Sequence, residues 1–214
     1  MSFVEVLHRT QFPRPYLTDS EVFFLLQGTA NSRYSKIKRL LAQGKLRQVR
    51  RGLYCLTEEG GCFLKPHPFE LAQFIYAPSY ISFESAFSFY NLIPEAVYTI
   101  TSASLKRSKE FNTDLGLFSF MHLPAENFYS EVTLYKDEQY TFFIAKPWKA
   151  ICDYIYFYKK KWTFEVLIEN LRMDISILPL LQDYEKYLLE EFYQKVFINT
   201  FLKDAKNYFI RKIL

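Results

Sequence analysis

The chain has 214 residues, half of them hydrophobic and 19% aromatic, which excludes a disordered polymer and leaves room for one medium domain or two small ones. The formal net charge of +4 is unevenly spread. Residues 1–56 hold ten Lys/Arg against three Asp/Glu, a local +7, while the remainder holds 17 against 20, or −3; this asymmetry points to one basic module suited to nucleic acid and one near-neutral module with a different role.

In chain order, Ser2–Arg9 reads as a helix with Phe3, Val6 and Leu7 inward, broken by Phe12-Pro13-Arg14-Pro15. Leu17–Gln27 is predicted as a second helix, opened by a Thr18/Glu21 capping box and contributing Val22 to Leu26 to a core. Gly28-Thr29-Ala30 is a turn. The stretch that follows, Asn31–Leu56, carries eight cations and no acid. Its first part predicts a helix capped by Asn31 or Ser32, with Tyr34, Ile37, Leu40 and Leu41 as an apolar stripe and Gly44 as its stop. Helical geometry then puts Ser32, Ser35, Lys36, Arg39 and Gln43 on the opposite face, with Arg33 and Lys38 on the flanks. Lys45–Val49 and Gly52–Leu56 are short β-rich runs joined through Arg50, Arg51 and Gly52, a hairpin.

Helix, turn, basic helix and basic hairpin are the layout of a winged helix-turn-helix. Duplex DNA rewards such a surface because Lys and Arg release counterions from closely spaced phosphates. Small polar and basic residues early in a helix reach base edges in the major groove. Lys36 and Arg39, helped by Ser32 and Ser35, are the expected base readers. Arg33, Lys38, Lys45, Arg47, Arg50 and Arg51 are the expected phosphate contacts, or minor-groove contacts at the hairpin.

Residues 58–68, with Glu58-Glu59-Gly60-Gly61 and two prolines, read as a linker, so the expected division is 1–57, 58–68 and 69–214. Helices are predicted over Phe69–Tyr76 and from Ser79 or Ser82 to Leu92, closed by Pro94. β-rich runs follow at 97–101, 117–122, 132–135 and 140–144, separated by turns such as Asn112-Thr113-Asp114. Pro147 starts a helix through Ile151, Tyr154 and Ile155, and the chain from about Trp162 reads as a helical tail broken near Pro179. The expected fold class is α+β: a winged helix-turn-helix, then helices around a small, mostly antiparallel sheet with a helical tail.

No catalytic set emerges. His8, His67 and His122 lack ligand spacing, and Cys55 and Cys62 are not a zinc pair. Asp114, Glu131 and Lys136 lack the tight spacing of a nuclease site. Ser82 reads as a cap and Glu84 as a surface or hydrogen-bonding residue, since no base lies near for a serine nucleophile. Neither a cofactor nor a metal is expected. No uncharged apolar run reaches the roughly 18 residues a membrane span needs. Without a leader-like N-terminus and with an odd number of cysteines, a reducing cytoplasm is expected.

Four stretches carry a family resemblance: RRGLYCL at 50–56, YISFESAFSFYNLIPE at 80–95, ITSAS with FNTDLGLFSFMHL within 100–123, and IAKPWKAICDYIY at 144–156. Across roughly residues 15–160 the chain resembles AbiEi-type antitoxins, the transcriptional regulators of type IV toxin–antitoxin and abortive-infection systems. Trp148 departs from the acidic residue usual at that place in the family. The resemblance implies a DNA-binding N-terminal domain that represses its own operon, a second domain needed for antitoxin action, and a nucleotidyltransferase-like toxin from the adjacent gene. Double-stranded DNA of its own promoter is thus the expected partner, and some aromatic residues of the tail could bury against a second copy in a homodimer. Two rival readings stand beside this one: a module that neutralises a toxin by direct contact, and a stand-alone regulator with no toxin. An enzyme is the weakest reading.

Overall fold

A computed structural model describes residues 14–26, 28–126 and 128–213; the helix expected over Ser2–Arg9 lies outside them. Helices and strands alternate irregularly, and the class is α+β. The chain separates into two compact units, Met1–Ile75 with Thr113–Leu115, and Tyr76–Asn112 with Gly116–Leu214.

In the first unit, β1 (Tyr16–Thr18) leads directly into α1 (Asp19–Leu26) and, after a glycine turn, α2 (Ala30–Ala42). The hairpin β2 (Leu46–Arg50) and β3 (Leu53–Leu56) follows, then α3 (Pro68–Ile75). The three strands form one antiparallel sheet in the order β1-β3-β2. The helix expected to begin at Leu17 instead starts at Asp19. Tyr16, Leu17 and Thr18 pair with Cys55, Tyr54 and Leu53, because β3, buried along its whole length, needs a hydrogen-bonding neighbour on each edge. The capping box forms as expected: the Thr18 N–H donates to the Glu21 carboxylate at 2.8 Å, and the Glu21 N–H reaches Thr18 Oγ1.

Thr29, not Asn31 or Ser32, caps α2; its hydroxyl accepts the Ser32 N–H at 3.3 Å. The helix ends on Gly44 at φ +69°, with the Lys45 N–H returning to the Leu40 carbonyl, a closure that requires the left-handed conformation. Ile37 and Leu40 join Leu17, Val22, Leu25, Leu26, Leu46, Tyr54 and Leu56 in one core, with Leu41 packed against it. Tyr34 leaves the expected stripe and is 60% exposed, because Arg33 occupies the side of α2 that meets α1. The segment expected to open a linker is a tight turn at its start: Gly60 and Cys62 donate to the Thr57 carbonyl, and Thr57 donates to that of Lys45. The first compact unit accordingly runs on through α3.

The second unit is built on a six-stranded sheet in the order β6-β7-β5-β4-β9-β8. Its strands are β4 (Ser79–Ile81), β5 (Thr99–Ser104), β6 (Lys109–Thr113), β7 (Gly116–His122), β8 (Val132–Lys136) and β9 (Thr141–Ala145). The sheet, expected to be mostly antiparallel, is mixed: β5 runs parallel to β7 and β4 parallel to β9, while β4–β5 and β8–β9 are antiparallel. Two strands, β4 and β6, carry too little pattern to be seen in the sequence, because β4 is three residues long and β6 is polar and mostly exposed. The short α4 (Phe83–Phe89) lies on β5 and against α5 (Pro147–Phe157). Packed on α5 are α7 (Asp183–Tyr193) and α8 (Val196–Ile213), with α6 (Phe164–Leu171) against α8. The tail's aromatics are largely inside: Phe164, Phe192, Tyr193 and Phe201 are buried.

A methyl group on Gly60 would lie 2.3 Å from the Lys45 carbonyl oxygen, whereas one on Gly44 meets nothing within 4 Å. Gly60→Ala is therefore expected to destabilise the chain by about 1–3 kcal/mol. Gly44→Asn, whose φ asparagine tolerates, should cost much less; denaturant unfolding of the two variants checks the difference.

Candidate functional site

The cations of the basic segment are carried by α2 and the hairpin. Along α2, Asn31, Ser35, Lys38, Arg39 and Ala42 are exposed, a spacing that places them on one side. The Ser35 hydroxyl donates to the Asn31 carbonyl at 3.0 Å, and the Lys38 ammonium stands 5.0 Å from the centre of the exposed Tyr34 ring. In the hairpin, the register shifts between Gln48 and Arg50. Ahead of that shift, Arg47 and Gln48 pair regularly with Cys55 and Tyr54, and both are exposed. Arg51 is exposed at the turn, where Gly52 at φ +80° lets the chain reverse and its carbonyl accepts the Asp19 N–H at 3.1 Å. Lys45 is half-buried.

The remaining residues expected at the interface lie closer to the fold. Ser32 is half-buried beside the Gly28 turn. Arg33 donates to the Phe23 carbonyl at 3.4 Å and lies 4.8 Å over the Phe23 ring. The Lys36 ammonium donates to the Leu26 carbonyl at 3.0 Å. Arg50 donates to its neighbour Arg51's carbonyl at 2.8 Å and to that of Phe74 at 3.3 Å. The structure thus leaves Ser35, Lys38, Arg39, Arg47 and Arg51 exposed and seats Arg33, Lys36 and Arg50 on main-chain oxygens.

The second unit contains a polar cluster that the sequence pattern did not reveal. Lys149 and Asp153, one turn apart on α5, are both fully buried and bonded at 3.0 Å. Tyr80 donates to Asp153 at 3.1 Å and Ser82 at 2.5 Å. Tyr193 completes the set, donating its hydroxyl proton to Asp153 and standing 3.1 Å from the Lys149 ammonium. That ammonium also sits 3.4 Å from the centre of the Phe192 ring, where the negative ring face partly replaces lost water. Burial pushes the Lys149 ammonium down while the Asp153 carboxylate pulls it back up. The Tyr80 and Tyr193 phenols are held far above their ordinary range by burial and by the same carboxylate. The available signal was a charged i, i+4 pair on a helix whose neighbours Trp148, Ala150, Ile151, Cys152 and Ile155 are all apolar.

Ser82 stands at the N-cap of α4 but makes no cap bond; its hydroxyl goes to Asp153 instead. Ser85 and Thr101 exchange backbone N–H bonds through their hydroxyls at 2.9 and 2.8 Å, and Thr101 donates to the Ser82 carbonyl. These hydroxyls fasten the distinctive 80–95 segment to β5 and α5. Glu84 is half-buried rather than a surface residue. One of its carboxylate oxygens is buried without a hydrogen-bond partner, and burial raises its carboxyl, opposed by its own N–H.

Of the carboxylates weighed for a nuclease, Glu131 pairs with Lys146 at 2.9 Å. His67 accepts the Phe69 N–H. Among the described residues, no group of three or more His, Cys, Asp or Glu is placed to hold a metal ion, and no helix is long and apolar enough to cross a membrane.

Asp153→Ala should cost about 3–5 kcal/mol, because it strands a buried ammonium. Adding Lys149→Met to Asp153→Ala should recover much of the loss, which a double-mutant cycle by denaturant unfolding measures. A pH dependence follows from the first unit. Burial pushes the Cys55 thiol up to about 12, with Arg47 pulling it back. Burial and the Asp19 carboxylate push the Tyr54 phenol up to about 12. The folded chain keeps these protons where the unfolded chain loses them, so the stability these two groups contribute is fully present below about pH 9 and is lost between about 9 and 12. Tyr54→Phe should flatten the upper part of that fall in unfolding experiments run from pH 8 to 11.

No protein-family model matches this chain, and no curated protein matches its sequence.

Proposed function

We propose that the chain is a sequence-specific DNA-binding repressor whose first unit acts as a winged helix-turn-helix, with α1 and α2 as the two helices and the β2–β3 hairpin as the wing. The observation that carries this reading is the exposure of Ser35, Lys38 and Arg39 along α2 and of Arg47, Gln48 and Arg51 on the hairpin that follows it, in a segment with no acid between Asn31 and Leu56. A helix presenting small polar and basic groups fits the major groove, and a flanking basic hairpin fits the backbone or minor groove beside it. Uncompensated charge supplies the counterion-release term that dominates affinity.

The resemblance over residues 50–56, 80–95, 100–123 and 144–156 supports the further proposal of a cytoplasmic antitoxin of a type IV toxin–antitoxin system. In that role it represses its own operon, and its second unit supplies the antitoxin function toward a nucleotidyltransferase-like toxin.

Footprinting with the full chain on its own upstream DNA should give a discrete protected site; no protection at modest ionic strength removes the reading. Arg39→Ala should relax sequence preference at one or two base pairs. Arg51→Ala should weaken binding to every sequence alike and lower the slope of log K against log salt by about 1. Gel-shift titrations over a salt series separate the two effects.

A further inference from the structure

Three of the cations share an unusual seat. Arg33 and Lys36 donate to the carbonyls of Phe23 and Leu26, both in the last turn of α1. Arg50 donates to the carbonyl of Phe74, in the last turn of α3. Neither helix has a basic residue of its own in that turn. The last carbonyls of a helix lack partners within it and carry the negative end of its dipole, so each helix receives from elsewhere the positive charge its own sequence withholds. The Nε atoms of Arg33 and Arg50 are buried without a hydrogen-bond partner, and both residues are half-buried, so each guanidinium lies partly against the fold. The Arg33 group also covers the Phe23 ring. Lys36 reaches Leu26 across the tight turn at Gly28, its ammonium passing 3.9 Å from where a Cβ would stand there.

We infer that the basic segment divides its cations between two roles. Arg33, Lys36 and Arg50 are C-terminal caps of α1 and α3 that fix the pitch of α2 and of the hairpin, while DNA is met by Lys38, Arg39, Lys45, Arg47 and Arg51. The assignment of the second group rests on the DNA-binding reading; that of the first does not. The three caps are positioning residues. They set the angle at which α2 and the hairpin present their exposed cations, and they contribute no counterion release of their own.

The test uses the full chain in two measurements: thermal unfolding without DNA, and binding to its own upstream duplex across a NaCl series. Arg33→Ala, Lys36→Ala and Arg50→Ala should each lower the melting temperature by about 2–4 °C. Each should weaken binding with the wild-type salt slope intact. Arg47→Ala and Arg51→Ala should keep the melting temperature and each lower the slope by about 1. Arg50→Gln, which retains a neutral N–H donor, should regain part of the lost melting temperature without changing the slope. A slope lowered by about 1 in any of the first three variants overturns the division, as does an unchanged melting temperature in all of them. Failure of the wild-type chain to bind DNA removes the DNA reading and leaves the capping assignment to the DNA-free melts.

Discussion

Eight cations within 26 residues, with no acid among them, repel one another, and a small unit can hold them only by separating them or giving them something negative. Two of this unit's carboxylates are committed elsewhere: Glu21 to Arg14 and Glu70 to the Tyr16 hydroxyl. The main chain supplies another source of negative charge. Helix C-termini offer partial negative charge at fixed positions, and α1 and α3 end where Arg33, Lys36 and Arg50 can reach them. The geometry of α2 and the hairpin follows from that solution, and the cations left in solvent form the face proposed to meet DNA.

The second unit meets a different charge problem. Lys149 and Asp153 are enclosed completely, where an isolated charge is prohibitively costly. They persist because Tyr80, Ser82 and Tyr193 supply hydrogen bonds and aromatic rings flank the ammonium. The three hydroxyls come from the β4–α4 junction and from α7. The cluster therefore ties the distinctive 80–95 segment to α5 and to the helical tail. A buried pair of this kind is weak support for stability in itself. It does enforce one arrangement of three elements, since any other leaves charge unpaired.

Much of the architecture could be read from local signals. The Thr18/Glu21 capping box, the Gly44 stop, the hairpin around Arg51-Gly52, Pro147 at a helix start and the helical tail all depend on residues within a turn of one another, and local chemistry settles them. The expectations that the structure changes depend on distant partners. Tyr16–Thr18 is a strand because β3 lies beside it. Tyr34 is displaced from the core face by Arg33. Ser82 gives up its cap for a carboxylate 71 residues away. The sheet is mixed because β7 lies beside β5 and β9 beside β4, an ordering invisible to strand periodicity.

The amino-acid order alone determined that one module is basic and the other near neutral, that one helix stops at Gly44 and another starts at Pro147, and which 26 residues concentrate positive charge. Those properties are local or compositional and need no knowledge of what folds against what. Only the tertiary structure decided which cations face solvent and which sit on helix carbonyls, and that Lys149 and Asp153 share one enclosed cluster. Both outcomes depend on the distance from a side chain to a group far away in sequence, and that distance exists only once the chain has folded.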